Sequence, residues 1–261
     1  MASFDPFAPQ ETKFRRDFLV GATLLAIPLA AVLIATPQID LGISGAAREI
    51  CTGQSAQGPW CRTWPVMVVR YSFMGLFFLV SIATLVATIR LLHAERRVFG
   101  LAQARCWFMI AVLIAGPGLV ANLVFKENLG RARPRDVVEF GGTKAFTPPL
   151  IPASECSRNC SFVSGEASSI YAVFFALALL LPRYRMLLLI GGIVAGTLAG
   201  IVRILQGAHF LSDVLFAGII MAITVGLLHI AFIGLWRNPR TWNAITAPFT
   251  PVVRIALSRA S

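Results

Sequence analysis

The chain has 261 residues, of which 57% are apolar and only 13% charged. That excludes an ordinary soluble domain and, because the apolar residues are spread evenly, a soluble domain carried on one anchor. The formal net charge of +11 does not mark a nucleic-acid binder, since the Lys and Arg flank apolar stretches and are not gathered on one soluble face.

A spanning helix needs about 20 mostly apolar residues. Six such stretches occur, over 18–37, 67–91, 106–125, 162–181, 186–202 and 210–236, with no internal repeat. The expected fold is all-α, a polytopic membrane protein with six transmembrane helices in a bundle and both termini cytoplasmic. It reads as one domain over 1–261, with cytoplasmic tails at 1–17 and 237–261 around a core at 18–236. A bundle of this length can stand alone, so the sequence asks for no particular oligomer.

The first stretch follows Lys13, Arg15 and Arg16, as in a signal peptide, but its apolar run exceeds the about 7 to 15 residues of a signal core, so it reads as an uncleaved span. An inner amino terminus places those three cations inside with Arg90, Arg96, Arg97 and Arg105, then Arg183 and Arg185, then Arg237, Arg240, Arg254 and Arg259. Only Asp5, Glu11, Asp17 and Glu95 oppose them, as the positive-inside rule expects.

Cys51 and Cys61 share the first outer loop, Cys156 and Cys160 the second, and Cys106 stands near the inner face. Two pairs on the oxidising side suggest two disulfides; the other reading is five unpaired small hydrophobes. A zinc site lacks the usual ligand spacing, because no His accompanies four cysteines split between loops. His93, in a basic inner loop, and His229, deep in the last stretch, are assigned to structure.

After the third stretch the outer side carries Lys126, Arg131, Arg133 and Arg135, with Pro134 ending the helix, and Arg203 follows between the fifth and sixth. Alone, each could snorkel to headgroups. Together they ask for an anion, because Arg forks and a Lys point charge suit a phosphate dianion. The loop over 135–160 is either a lid over a large headgroup or a folded scaffold. The fourth stretch opens with Ser161, Phe162, Val163, Ser164, Gly165 and Glu166: a helix cap, or a phosphate site using free N–H groups at a helix start. At the start of the sixth, His209 and Asp213 stand four apart, which on a helix is one face, so a carboxylate can fix the imidazole's tautomer. An intramembrane Asp beside a His reads as functional; the alternative is a polar tie between helices.

These elements resemble the type 2 phosphatidic acid phosphatase superfamily over about residues 106 to 236. The family pattern is Lys, six residues, Arg-Pro; then Pro-Ser-Gly-His; then Ser-Arg, five residues, His, three residues, Asp. Lys126, Arg133 and Pro134 match the first in full; Arg203, His209 and Asp213 match the third, with Val202 for Ser; Ser164 and Gly165 match the second, with Val163 for Pro and Glu166 for His. The resemblance implies a metal-independent enzyme with no cofactor, in which His209 forms a phosphohistidine and Asp213 orients it. Lys126, Arg133 and Arg203 would hold phosphate oxygens, Ser164 and the Gly165 backbone would add hydrogen bonds, and Arg131 is a candidate extra contact. Three options stand for Glu166, in this order: it replaces the family's general acid, the leaving group needs little acid help, or the protein is a weak catalyst.

Gly130 to Pro134, Ser161 to Glu166 and Ile39-Asp40-Leu41 are similar to the bacterial lipid A phosphatase branch. That implies a lipid phosphate substrate, lipid A at its 1- or 4'-phosphate, at the periplasmic face of a bacterial inner membrane. The alternatives are undecaprenyl pyrophosphate or phosphatidylglycerophosphate phosphatase and, outside enzymes, a lipid-binding or translocating protein with a degenerate site.

Overall fold

A computed structural model describes residues 8–52, 60–94 and 101–234. The expected tail at 237–261, the limit at Trp236, and Asp5, Glu95, Arg96 and Arg97 lie outside the described residues. The chain is helical: α1 Ala8–Ala35, α2 Gln38–Cys51, α3 Trp64–Ala94, α4 Leu101–Ile114, α5 Gly165–Leu180, α6 Arg185–Leu205 and α7 Leu211–His229. Among the described residues, strand pairing is limited to one isolated bridge, Val137 with Lys144.

Among the described residues, five helices are long and apolar enough to cross a membrane: Gln10–Ala35, Trp64–His93, Ala102–Lys126, Pro182–Leu205 and Leu211–Ile233. The stretch expected as the fourth span is α5, apolar but only 16 residues long. Its burial sets it apart. In α1 and α3, Leu24, Ile27, Phe78 and Leu79 face outward, whereas Ile170, Tyr171, Phe175 and Leu179 of α5 are buried. Helices α6, α7, α4 and α3 surround α5, which is therefore the axis of the bundle.

α4 passes into a wider, π-helical stretch, Ala115–Lys126, containing Pro117. A proline has no N–H for the regular ladder, and such widened turns accommodate the loss. The stretch ends on Lys126 beside the start of α5.

Where the sequence suggested an outer loop, the chain forms α2. Its inward face is Asp40, Ser44, Ala47 and Cys51, while Ile39, Ile43 and Ile50 are exposed. A helix of 14 residues with polar groups turned in and isoleucines turned out is too short to span and suits a membrane interface. Disulfides join Cys51 to Cys61 and Cys156 to Cys160, and Cys106 is free. His229 packs edge-on against Phe108 with ring centres 5.3 Å apart.

Candidate active site

The end of the bundle that gathers Lys126, the start of α5, the end of α6 and the start of α7 also carries the loop over 127–164. That loop is pinned to the bundle. Ala153 N–H donates to Leu129 O at 2.9 Å, Ser161 N–H to Arg131 O at 2.9 Å, and Ser164 N–H to Asp213 O at 3.2 Å.

His209 lies in the turn between α6 and α7, not on the helix that carries Asp213. Gly207 makes this turn with φ of +60°, and a Cβ there would stand 2.5 Å from the Trp60 ring, so glycine is required both by backbone and by space. The His209 Nδ1 lies 2.7 Å from Ser161 O. A carbonyl only accepts, so Nδ1 carries the proton and Nε2 keeps its lone pair. Burial pushes the His209 pKa from an ordinary 6.5 down to about 4; Asp213 pulls it up, while Lys126 and Arg203 push it further down. The ring is therefore neutral at neutral pH.

Asp213 does not orient the imidazole through a shared helical face. Its Oδ2 is 3.7 Å from His209 Nδ1, beyond hydrogen-bond reach. The same oxygen accepts from Ser161 Oγ at 2.5 Å and from Phe210 N–H at 2.8 Å, capping α7. Asp213 thus holds Ser161, and the Ser161 carbonyl holds His209.

Arg131, a candidate phosphate contact by sequence, is committed elsewhere. It is 1% exposed. Its Nε donates to Thr147 O at 2.8 Å, one terminal nitrogen to Ser212 Oγ at 2.7 Å and Asp213 Oδ1 at 2.5 Å, and the other to Asp40 Oδ2 at 2.8 Å. Its Cζ lies 4.4 Å from the Phe210 ring centre. Asp40 also accepts from Ser212 N–H and Oγ, at 2.8 and 2.5 Å. Four of its five N–H donors are engaged, and burial keeps the guanidinium away from a substrate. Asp40, which the sequence marked only as part of a branch resemblance, is the second anchor of this network.

The remaining cations face a more open rim. Lys126 Nζ donates to Asn159 Oδ1 at 3.4 Å, and Arg133 donates twice to Asn159 O, at 3.2 and 2.6 Å, so one residue places both. Burial, then the neighbouring Arg135, lowers the Arg133 pKa, yet an arginine stays charged. Gly165 presses on this cluster: an added Cβ would stand 3.3 Å from Lys126 Nζ. Ser164 occupies the helix-cap position but makes no cap bond. Its buried Oγ has no hydrogen-bond partner among the described residues.

Glu166 is not placed as a free acid. Arg70, which sequence reading passed over as one more residue of the second span, grips both of its oxygens at 2.7 to 3.1 Å, and Arg203 Nε lies 3.5 Å away. Arg203 also donates to Gln206 Oε1. A carboxylate between two guanidinium groups is held ionised and has no proton to give. Arg70 had one signal, a lone cation in an apolar run.

The model of the PAP2 superfamily matches residues 104–237 of this chain. The chain belongs to the PAP2 superfamily. Its similarity to a lipid A 4'-phosphatase of Francisella tularensis subsp. novicida is 43% identity over 133 residues, covering 50% of this chain and 60% of that protein. With a lipid A 4'-phosphatase of Rhizobium etli it is 33% over 196 residues, 71% of this chain and 76% of that one. A lipid A 1-phosphatase of Rhizobium johnstonii aligns at 39% over 42% of this chain and 41% of its own length. The structure of a PAP2-type phosphatidylglycerolphosphate phosphatase from Bacillus subtilis superposes with a TM-score of 0.54, covering 84% of this chain and 96% of that one at 22% identity, a likeness of fold alone. The resemblance to a superfamily of membrane phosphatases, and to its lipid A branch, is thus borne out.

Proposed function

We propose that this PAP2 protein is a lipid A phosphatase that removes the 4'-phosphate at the periplasmic face of a bacterial inner membrane, with six spans and cytoplasmic termini. The observation that carries the chemistry is His209: a buried neutral imidazole whose Nδ1 proton is held by the Ser161 carbonyl and whose Nε2 has no hydrogen-bond partner among the described residues. Nε2 attacks phosphorus, the bond to the sugar oxygen breaks, and that oxygen leaves with a proton from solvent. Water then cleaves the phosphohistidine, releasing inorganic phosphate and restoring the neutral ring. Lys126, Arg133 and Arg203 offset the charge on the transferring group, with the Ser164 hydroxyl and Gly165 N–H as further donors; Asp213 stabilises the ring cation through Ser161 and its own field.

The substrate class is supported by an apolar groove between α3 and α5. It has a volume of about 240 Å³, is walled by Phe73, Met74, Phe77 and Phe78, and ends on Lys126 and Glu166. An acyl chain in that groove brings its phosphate to the cation cluster. The choice of the 4' position rests on the relatives named for it.

The test is phosphate release in detergent from lipid A, undecaprenyl pyrophosphate and phosphatidylglycerophosphate, with His209→Ala as control and the lipid product weighed by mass spectrometry. Loss of one phosphate from lipid A by the wild type alone is expected. Release only from another lipid transfers the protein to that substrate, and binding without any release makes it a lipid-binding protein.

A further inference from the structure

Beside the reacting site lies a second cavity that shares Arg203 with the family motifs and the proposed chemistry and is otherwise used by neither. Its volume is about 410 Å³, and it is lined by Arg62, Met67, Arg70, Arg135, Arg203 and Gln206. Four guanidinium groups face one small space, and two carboxylates answer them. Glu166 pairs with Arg70 and Arg203, and Asp136 lies 3.8 Å from Arg135. Among the described residues no acid pairs with Arg62. Two positive charges are left uncompensated, which is the charge of one phosphate dianion.

The cavity's placement says where that dianion comes from. The apolar groove ends on Glu166, the arginine cavity begins on Arg70, and the Glu166–Arg70 pair is the ridge between them. A lipid with its chain in the groove and one phosphate at His209 must lay the rest of its headgroup over that ridge. Gln206, bound to Arg203 and set 3.3 Å from the Met67 sulfur, ties two of the lining residues together.

Resting on the lipid A reading, we infer that the cavity lined by Arg62, Arg70, Arg135 and Arg203 binds the second phosphate of the same lipid, the 1-phosphate while the 4'-phosphate is at His209. The enzyme thereby selects the bis-phosphorylated lipid over the mono-phosphorylated one. Arg62 and Arg135 are the discriminating pair, since neither belongs to the cluster around His209.

The test compares kcat/KM for 4'-phosphate release from two lipids of identical acyl pattern, bis-phosphorylated lipid A and its 1-dephosphorylated form, using the full chain in detergent. Charge-assisted contacts to one phosphate make the wild-type ratio roughly tenfold or more in favour of the bis-phosphorylated lipid. In the Arg62→Gln, Arg135→Gln double variant that ratio falls toward one. Because the readout is a ratio within one protein, a general loss of folded enzyme does not imitate it. A wild-type ratio near one, or a double variant that keeps the wild-type ratio, overturns the assignment while leaving the lipid A reading in place. Release from neither lipid, with release from another lipid phosphate, overturns the lipid A reading and the cavity's assignment with it.

Discussion

Arg131 and Arg133 stand two residues apart in one motif and do opposite work. Arg131 is buried, and its donors are spent on Asp40, Asp213, Ser212 and the Thr147 carbonyl. Arg133 spends its donors on a single backbone carbonyl, that of Asn159, at the rim. The first kind of cation fixes the frame in which His209 sits; the second kind is the one proposed above to meet the substrate. The two regions should therefore fail differently when broken. Arg131→Met has the largest expected effect, since it strands two buried carboxylates, at a cost of about 3–5 kcal/mol. Thermal unfolding in detergent should collapse together with activity, and a variant that unfolds at the wild-type temperature would show that this network does not hold the site.

On the rim, Arg133→Gln should cut kcat/KM by about a hundredfold to a thousandfold through lost charge stabilisation, while the unfolding midpoint moves by no more than about 0.5 kcal/mol. Equal losses of stability and activity would erase the distinction between the two regions.

Much of this division was invisible in the sequence. The spacing of Lys126, Arg133, Arg203, His209 and Asp213 was legible because each motif is local. What was illegible depends on contacts between distant segments. Arg131 reads as one more outer cation until Asp40, 91 positions earlier, is placed against it. Arg70 lies 96 positions from Glu166, and their bond turns a presumed acid into a clamp. The His209 to Asp213 spacing invited a shared helical face, but α7 begins only at Leu211, and the imidazole's partner is a backbone carbonyl, which no side-chain pattern announces. Helix α2 was missed because Asp40 and Ser44 face inward while its isoleucines Ile39, Ile43 and Ile50 face outward, the reverse of a soluble amphipathic helix. The apolar stretch over 162–181 located α5 but not its central place, since its burial depends on the other helices packed around it.

Glu166 sharpens the comparison next, because it is a rim carboxylate that resembles Asp213 in charge and differs in use. If it clamps Arg70 and Arg203, Glu166→Gln removes a negative charge beside the phosphate site while keeping the side chain's shape. Inorganic phosphate should then inhibit the variant roughly tenfold more tightly, as one charge contact near a protein surface allows. The dependence of kcat on the leaving group should match the wild type. A steeper dependence, with poor leaving groups hit hardest, would restore Glu166 as the acid.

The smallest effect comes from the buried side and separates it from the rim by pH. His209 is held neutral in the folded protein, with its pKa at about 4 against an ordinary 6.5, so the unfolded chain binds the proton first as pH falls. A folded pKa below the unfolded one means that stability is complete above 6.5 and is lost as pH drops from 6.5 toward 4. The linkage between pH 6 and pH 5 is about 1 kcal/mol from this one residue. His209→Gln cannot titrate there, so its unfolding midpoint should fall less than the wild type's over that interval, by about that amount. Rim cations stay charged throughout and should leave the interval unchanged when substituted, as Arg133→Gln would show. If wild type and His209→Gln lose stability equally between pH 6 and 5, the imidazole is not sealed from solvent, and the neutral ring on which the proposed attack depends loses its physical cause.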